Sequence, residues 1–456
     1  MKILFISFGD NYSNIFTNSL DKKNNYLFNF LQRYSFFEIP LTIPILISLT
    51  PKEHTIDVLE LNNKNYKNID YSKKYDLVGI TTITQHAFIS YEIADEFRKR
   101  GCKVVIGGWH PSALPEEAKM HADSVVIGEA DEIWANLLKD AEKNQLKTFY
   151  KPEKPVDPIN IPILRPEIFT KGTNISVQAT RGCPNQCQFC AITHMKNRKI
   201  FRKRPIHEVV EEIKSIPNKT FVFQDNSMTI DVGYTKRLFK ELKNVNKRFV
   251  CRGNQSILEK DDELLKLASE AGCIDWFIGL ESISSESLKE MHKESNKANN
   301  YIKTIKKIHD YGMGVRASFI FGFDHDTLDI FHKTNEFIRK SEIDVPSCGI
   351  LTPFPGTPIY NRLEKEGRIL TKDWSLYNME NVVYQPMHMT AEELAYNSVE
   401  IQRKWYTTFF IFKRIMHSIG YGFYPFLFVI RRNLFFYRYN MKLKSQNIKN
   451  NIKKCN

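Results

Sequence analysis

Five prolines between Lys151 and Glu167, in the run KPEKPVDPINIPILRPE, divide the 456-residue chain into two parts. Each proline fixes φ and removes a backbone donor, so this span can continue neither a helix nor a central strand and reads as an extended linker over 146–170. On both sides of it, short apolar runs alternate with stretches of helical period. That alternation builds parallel sheets joined by crossover helices, so the fold class is α/β. The chain is longer than one core supports, which agrees with two domains and an appendage.

In the front part, residues 1–145, five strands are predicted at Lys2 to Phe8, Thr55 to Leu59, Leu77 to Thr81, Lys103 to Gly107 and Ser124 to Ile127. The amphipathic stretch Ala87 to Arg100 ends at Gly101, as a helix with a left-handed cap does. Together these predict a doubly wound, flavodoxin-like sheet. In the second part, 171–360, six strands are predicted near Ile175 to Ala179, Thr220 to Gln224, Arg248 to Arg252, Asp275 to Gly279, Val315 to Phe321 and Val345 to Leu351. Six repeats make three quarters of a TIM-type barrel, a partial (β/α)6, whose chemistry belongs in the loops after the strands. A helical extension over 361–406 and an aromatic, basic tail over 407–456 complete the chain.

The composition, 42% hydrophobic and 26% charged, is that of a folded globular protein. The net charge of +13 does not mark a nucleic-acid binder, because Lys and Arg are spread along the whole length and thicken only after Arg403. The opening MKILFISFGD has too short an apolar run for a secretion signal, so the expected location is the cytoplasm. Of eight cysteines, three crowd together while Cys102, Cys251, Cys273, Cys348 and Cys455 stand singly. In a reducing compartment this pattern is one metal site plus buried thiols, not a disulfide framework.

The crowded three lie in Thr180-Arg-Gly-Cys-Pro-Asn-Gln-Cys-Gln-Phe-Cys-Ala, directly after the first barrel strand: Cys183, Cys187 and Cys190. Thiolates are the preferred ligands of iron–sulfur clusters, and one short loop can wrap three of them around a cubane. A cubane takes four ligands, so three leave one iron open to a substrate or cofactor. The alternative, structural zinc, normally pairs two C-x-x-C units or adds histidines at set spacing, and only His194 lies near.

This spacing, with an aromatic residue (Phe189) before the third cysteine, resembles radical S-adenosylmethionine (SAM) enzymes. The resemblance implies a [4Fe-4S] cluster whose open iron is chelated by SAM, an electron donor such as flavodoxin or ferredoxin, and reductive cleavage of SAM to a 5′-deoxyadenosyl radical. Other strand ends fit such a pocket. Phe223-Gln-Asp-Asn-Ser follows the second strand, where the family often has a glycine-rich segment, and offers Asp225 and Asn226; Asp225 could equally cap the helix at Ile230. Arg252 ends the third strand and Glu281 follows the fourth; a guanidinium can fork onto a carboxylate and a carboxylate can accept from ribose hydroxyls, or the two can simply support the rim. Gly322, ending the fifth strand, stands where an adenine ring would need close backbone approach. The Pro/Gly-rich turn Leu351 to Tyr360 is similar to the corresponding segment of radical SAM proteins with a front cobalamin-type domain.

In the front domain, Gly107, Gly108, Gly128 and Glu129 lie on loops after the fourth and fifth strands, at the sheet edge where such folds bind ligands. They resemble the cobalamin-binding domains of the radical SAM subfamily that includes hopanoid methylases and the anaerobic magnesium-protoporphyrin ester cyclase. The resemblance implies cobalamin, with one departure: many such domains supply a cobalt-ligating histidine after the first strand, where this chain reads Gly9-Asp-Asn-Tyr-Ser-Asn. Cobalamin would then be held without a protein histidine, and His110 is expected to be structural.

The expected function is therefore a cobalamin-type radical SAM enzyme that methylates, cyclises or rearranges a small molecule at an unactivated carbon. A radical SAM methylthiotransferase would bring three further N-terminal cysteines, whereas only Cys102 precedes Cys183; an iron–sulfur redox sensor would explain the thiols but not the other strand ends. The tail from Thr407 to Tyr439 carries twelve Phe and Tyr rings, with Lys413, Arg414, Arg431 and Arg432 bracketing them. Two readings stand: a hairpin at the inner face of the membrane, implying a lipid-like substrate, or a cover for the barrel's open edge.

Overall fold

The computed structural model describes residues 1–9, 40–62, 65–164 and 175–445. The loop after the first strand, on which the missing histidine was noted, lies from Asp10 onward outside the described residues.

The front sheet contains β1 (Lys2–Phe8), β2 (Thr55–Leu61), β3 (Leu77–Thr82), β4 (Lys103–Gly108), β5 (Ser124–Val126) and β6 (Phe149–Tyr150). Its order is β2-β1-β3-β4-β5-β6 and every pair is parallel. The first five give the doubly wound order expected. The sixth corrects the linker boundary: Phe149–Tyr150 still belongs to the front sheet. In β1, Ile3 to Ile6 are buried without alternation, because helices cover both faces of a parallel sheet. The helix Ala87–Lys99 buries Tyr91, Ala94 and Phe97 at helical spacing, and Gly101 takes φ +82 just beyond it.

The second domain starts with β7 (Ser176–Val177), followed by a short antiparallel pair, β8 (Thr180–Arg181) with β9 (Arg202–Lys203). The strands β10 (Thr220–Phe223), β11 (Arg248–Arg252), β12 (Cys273–Glu281), β13 (Gly314–Phe321) and β14 (Val345–Ile350) complete a parallel sheet of order β14-β13-β12-β11-β10-β7. Neighbours in the chain are neighbours in the sheet, as in a barrel left open. Phe221, Phe223, Phe249 and Trp276 pack outward among helix side chains such as Leu238 and Phe239. Val222 and Val250 point the other way and, with Ile274, meet Phe428 from the chain's last helix.

That contact divides the tail into two roles. The helix Phe423–Ser445 seats Phe428, 2% exposed, in the base of the barrel, with the Arg316 guanidinium 5.4 Å from its ring centre, while Asn433 Nδ2 donates to Asp344 O at 2.9 Å. This is the cover. The preceding helix, Thr408–His417, turns Phe409, Phe412 and Met416 outward at 68%, 63% and 49% exposure, with Ile419 continuing the stripe. Of the bracketing charges, Arg414 and Arg431 turn the opposite way and are buried, Arg414 donating to Asn433 Oδ1 at 3.2 Å; Arg432 is half-buried and Lys413 is exposed beside the stripe. No helix among the described residues is long and apolar enough to cross a membrane.

Candidate active site

The cysteine loop is an excursion between β8 and β9, closed where Cys183 N donates to Arg198 O at 2.9 Å. Gly182 makes that closure possible. It sits at φ +90, and a Cβ there would collide with the carbonyl oxygen of Ile200, so only glycine is accommodated.

Asp225 anchors the loop's first turn. Fully buried, it accepts from Ala179 N at 3.2 Å, from Thr180 Oγ1 at 2.6 Å and from Thr180 N. Burial pushes its carboxyl up to about 6 despite these bonds. It does not cap the following helix, whose N-cap is Asp231, accepting from Tyr234 N at 2.9 Å. Asp225 thus ties the second strand's end to the cysteine loop, one residue over from its expected contact with a ligand.

Cys183, Cys187 and Cys190 are electrostatic neighbours of one another and of Lys293. Burial raises the Cys183 thiol and pushes Cys187 up to about 11, so the free loop keeps these protons and metal must displace them. A structural zinc ion takes four ligands around one centre, whereas a cubane spreads its ligands over separate irons and can be held by three thiolates. His194 turns its Nε2 to Cys187 O at 3.1 Å and not to the thiols. The donor set fits a [4Fe-4S] cluster and not zinc.

Lys293, which the sequence did not single out, pairs with Glu281 Oε1 at 3.3 Å beside this loop. Burial opposes its charge, but Glu281 and Cys187 hold the ammonium above its ordinary range. Glu281 itself is 7% exposed at φ +64, so backbone strain aims it at the barrel mouth. Phe189 packs against Phe323 with ring centres 6.4 Å apart. Gly322 has its Cβ side closed by Leu394 and Tyr384, whose hydroxyl donates to Gly322 O; the glycine is required there by packing against the C-terminal extension.

Between the domains lies a cavity of about 350 Å3, within the range of ligand sites. From the front domain its lining includes Gly107, Gly108, Trp109, Gly128 and Glu129; from the barrel it includes Gln178, Gln224, Asn226 and Arg252. Both groups sit at the C-terminal edges of their sheets, so the two ligand-binding edges share one chamber. Gln224 Oε1 is buried there without a hydrogen-bond donor among the described residues, as a ligand-facing acceptor would be. Arg252 Nη1 donates to Asp225 O at 3.3 Å, which places the guanidinium at the rim of the cysteine loop. No histidine lines the cavity among the described residues. His110 is fully buried, its Nε2 3.0 Å from Glu117 Oε1, where Tyr91 OH and Trp374 Nε1 also donate. It belongs to the joint between the front domain and the extension, as a structural imidazole.

The front-domain residues also act within the protein. A Cβ on Gly108, at φ +110, would strike the backbone of Thr82, so this glycine serves the sheet edge. Glu129, 3% exposed, is clamped by three arginines of the cysteine hairpin: Arg202 Nη1 at 2.7 Å, Arg198 Nε at 2.9 Å and Arg181 Nη1 at 3.7 Å. Arg181 also donates twice to Asp131, at 3.0 Å each. Burial acts to raise the Glu129 carboxyl, but the arginines hold it below the usual range. The carboxylate is therefore engaged in a latch between domains, and what reaches the cavity is the excess positive charge of three guanidinium groups over two carboxylates.

Comparison with known proteins agrees with this architecture. The Radical SAM superfamily model matches residues 177–338, and the B12 binding domain model matches residues 37–138. Bacteriochlorophyllide d C-12(1)-methyltransferase of Chlorobaculum tepidum is 31% identical over 390 residues, 83% of this chain and 84% of that protein. The C-8(2)-methyltransferase of the same organism is 34% identical over 375 residues, 76% and 82% of the two chains. The solved structure of the cobalamin-dependent SAM radical enzyme OxsB, with aqua-cobalamin and SAM bound, has a similar fold, with a TM-score of 0.65 at 14% identity over 91% of this chain and 68% of that one. The chain belongs to the radical SAM superfamily, to the cobalamin-dependent enzymes in which a B12-binding domain precedes the barrel.

Proposed function

We propose that the enzyme is a methyltransferase that places a methyl group on an unactivated carbon of a large, mainly apolar ring system. The observation that carries this is the shared cavity, in which the ligand edge of the B12-binding domain faces the mouth of the SAM barrel with no wall between. When bound, the cluster with SAM supplies a radical able to take hydrogen from carbon, and cobalamin supplies the methyl carrier. Cys183, Cys187 and Cys190 would hold the cluster, with Asp225 fixing their loop. Arg252 and Asn226 would meet the carboxylate and amino groups of SAM, Glu281 would accept from a hydroxyl, and Phe189 and Gly322 would border the SAM site. Gly107, Gly108 and Gly128 would meet the corrinoid.

The relatives named above act, by their descriptions, on bacteriochlorophyllide d, and another relative, 27% identical over 285 residues, is the hopanoid C-2 methylase of Rhodopseudomonas palustris. Apolar rings are the shared chemistry. The outward stripe Phe409, Phe412, Met416 and Ile419, on a tail with no acidic residue after Glu400, supports collection of such a substrate from a lipid surface.

The test is anaerobic turnover with methyl-deuterated SAM, a strong reductant, hydroxocobalamin and pigment or lipid extract. Methyl transfer coupled to hydrogen abstraction yields both S-adenosylhomocysteine and 5′-deoxyadenosine, with label in one extract component. Substrate-dependent 5′-deoxyadenosine without S-adenosylhomocysteine would replace methylation by cyclisation or rearrangement.

A further inference from the structure

At the opposite end of the barrel from the cysteine loop, three side chains from distant parts of the chain converge. His309 comes from the last turn of the helix Tyr301–Asp310, Glu342 from the residue after the helix Asp329–Ser341, and His417 from the end of the outward tail helix. A ring nitrogen from each histidine and a carboxylate oxygen of Glu342 all lie within 4.8 Å of one another, the one such group among the described residues. Nothing in the radical chemistry uses them, since they lie at the strands' N-terminal ends, where Asp344 leads into β14.

We propose that His309, Glu342 and His417 form a site for a divalent cation of the zinc class, which clamps the tail to the base of the barrel. Two imidazoles and one carboxylate are a borderline donor set that suits zinc and disfavours magnesium, which takes oxygen ligands and keeps its waters. The geometry is nearly closed: His417 Nε2 and Glu342 Oε2 are 3.7 Å apart. Tetrahedral bonds of about 2.0–2.1 Å need donors roughly 3.4 Å apart, so modest rotation of two exposed side chains completes the set, with water as the fourth ligand.

The surroundings are those of a built site. Asp344, fully buried, holds His309 Nε2 at 2.9 Å, as carboxylates behind metal-binding imidazoles orient the ring. Tyr421 stacks on His309 with centres 4.9 Å apart and turns its hydroxyl to His417 Nδ1 at 3.2 Å, steadying the second ring from the tail side. Glu342 adopts φ +57, a left-handed backbone uncommon for this residue, which lifts its carboxylate out of the helix end. His417 and Glu342 keep 37% and 50% side-chain exposure, so an ion can enter from solvent. One ion would join two barrel helices to the segment that carries both the barrel plug and the outward apolar stripe.

The experiment uses untagged full-length protein with its cluster loaded, treated with chelator, equilibrated with micromolar zinc and desalted. The expected result is about one zinc per chain with iron content unchanged, no retention of magnesium, and slower tryptic cleavage around Lys413 to Arg438 in the presence of zinc. His417→Ala and Glu342→Gln alter exposed side chains and should each weaken retention ~10-fold or more while leaving the iron in place. Equal zinc retention by the parent and both variants would put the metal elsewhere and overturn the site. No retention by the parent would do the same, and zinc lost in both variants without any protection of the tail would overturn the clamp.

Discussion

Replacing Glu129 by glutamine should loosen the joint between the domains before it touches the chemistry. The carboxylate is almost wholly buried and pairs with Arg181, Arg198 and Arg202 from the hairpin that carries the cysteines. Glutamine has nearly the same shape but no charge, so three guanidinium groups would share the single carboxylate of Asp131. Removing one partner from a buried ion pair costs about 3–5 kcal/mol, because the remaining charge is left without compensation. For a cooperative unit of about 150–250 residues, each kcal/mol lowers the midpoint by about 2–4 °C, so the first calorimetric transition should fall by roughly 10 °C. Retention of hydroxocobalamin after gel filtration should fall with it, since the chamber lies across this joint. The direct-contact reading makes a different forecast: corrinoid retention drops and the transition stays in place. Scanning calorimetry and corrinoid content of the same preparations separate them, and an unshifted transition in Glu129→Gln would refute the latch.

Other expectations concern the loop, the acid response and the tail. Cys187→Ala should abolish SAM cleavage and reduce iron well below about four per chain, whereas Cys251→Ala should keep both, because Cys251 is buried 3.8 Å from Cys273 within the barrel core. Gly182→Ala should impair iron loading, since φ alone costs about 1–2 kcal/mol and the collision with Ile200 adds to it; normal iron content would show that the loop relaxes freely. Burial pushes Asp225, Asp275 and Asp326 up to about 6 from an ordinary 3.8, so their contribution to stability is complete below about pH 4 and is lost as pH rises through 6. Glu129, shifted the opposite way, loses its contribution only below pH 4.5. His86, lowered to about 4 by burial, opposes this as pH falls through 6.5, but three aspartates outweigh one imidazole, so the midpoint of thermal unfolding should rise modestly from pH 7.5 to 5.5, and a fall would contradict these assignments. Phe409→Ser with Phe412→Ser should end sedimentation with anionic liposomes at unchanged iron content, and salt should release the parent only in part because Arg414 and Arg431 point inward and leave Lys413 as the exposed bracketing charge.

The cysteine hairpin was legible because its chemistry is local: three thiols and a glycine fall within nine residues, and a strand precedes them. The strands were legible for a related reason, since a parallel strand covered on both faces is a continuous apolar run. The latch was not. Arg181, Arg198 and Arg202 are ordinary basic residues in sequence, and they become a site only when the hairpin folds back on the loop after β5. Lys293, within His292-Lys-Glu-Ser, carries no motif and acquires its place by packing beside Glu281 and the cysteines. Asp225 was legible as a functional position, but its partner is the backbone of Ala179 and Thr180, some 45 residues away. The tail shows the same limit: aromatic density says that rings will be buried or displayed, and only the helix's orientation decides which.

That orientation bears on how the enzyme can work on an apolar substrate. Among the described residues, the last helix packs Phe428 into the base of the barrel, at the end opposite the cysteines. Where the two domains meet, the Glu129 latch and the His110–Glu117–Trp374 joint tie the front domain down from two directions. Both ties are charged or polar and buried. Such contacts give less net stability than apolar packing of the same size, but they specify one arrangement, because any displacement strands a charge. A chamber that brings a methyl carrier, SAM and a small-molecule substrate to one reacting carbon depends on fixed placement of its walls. Polar ties between the domains meet that need.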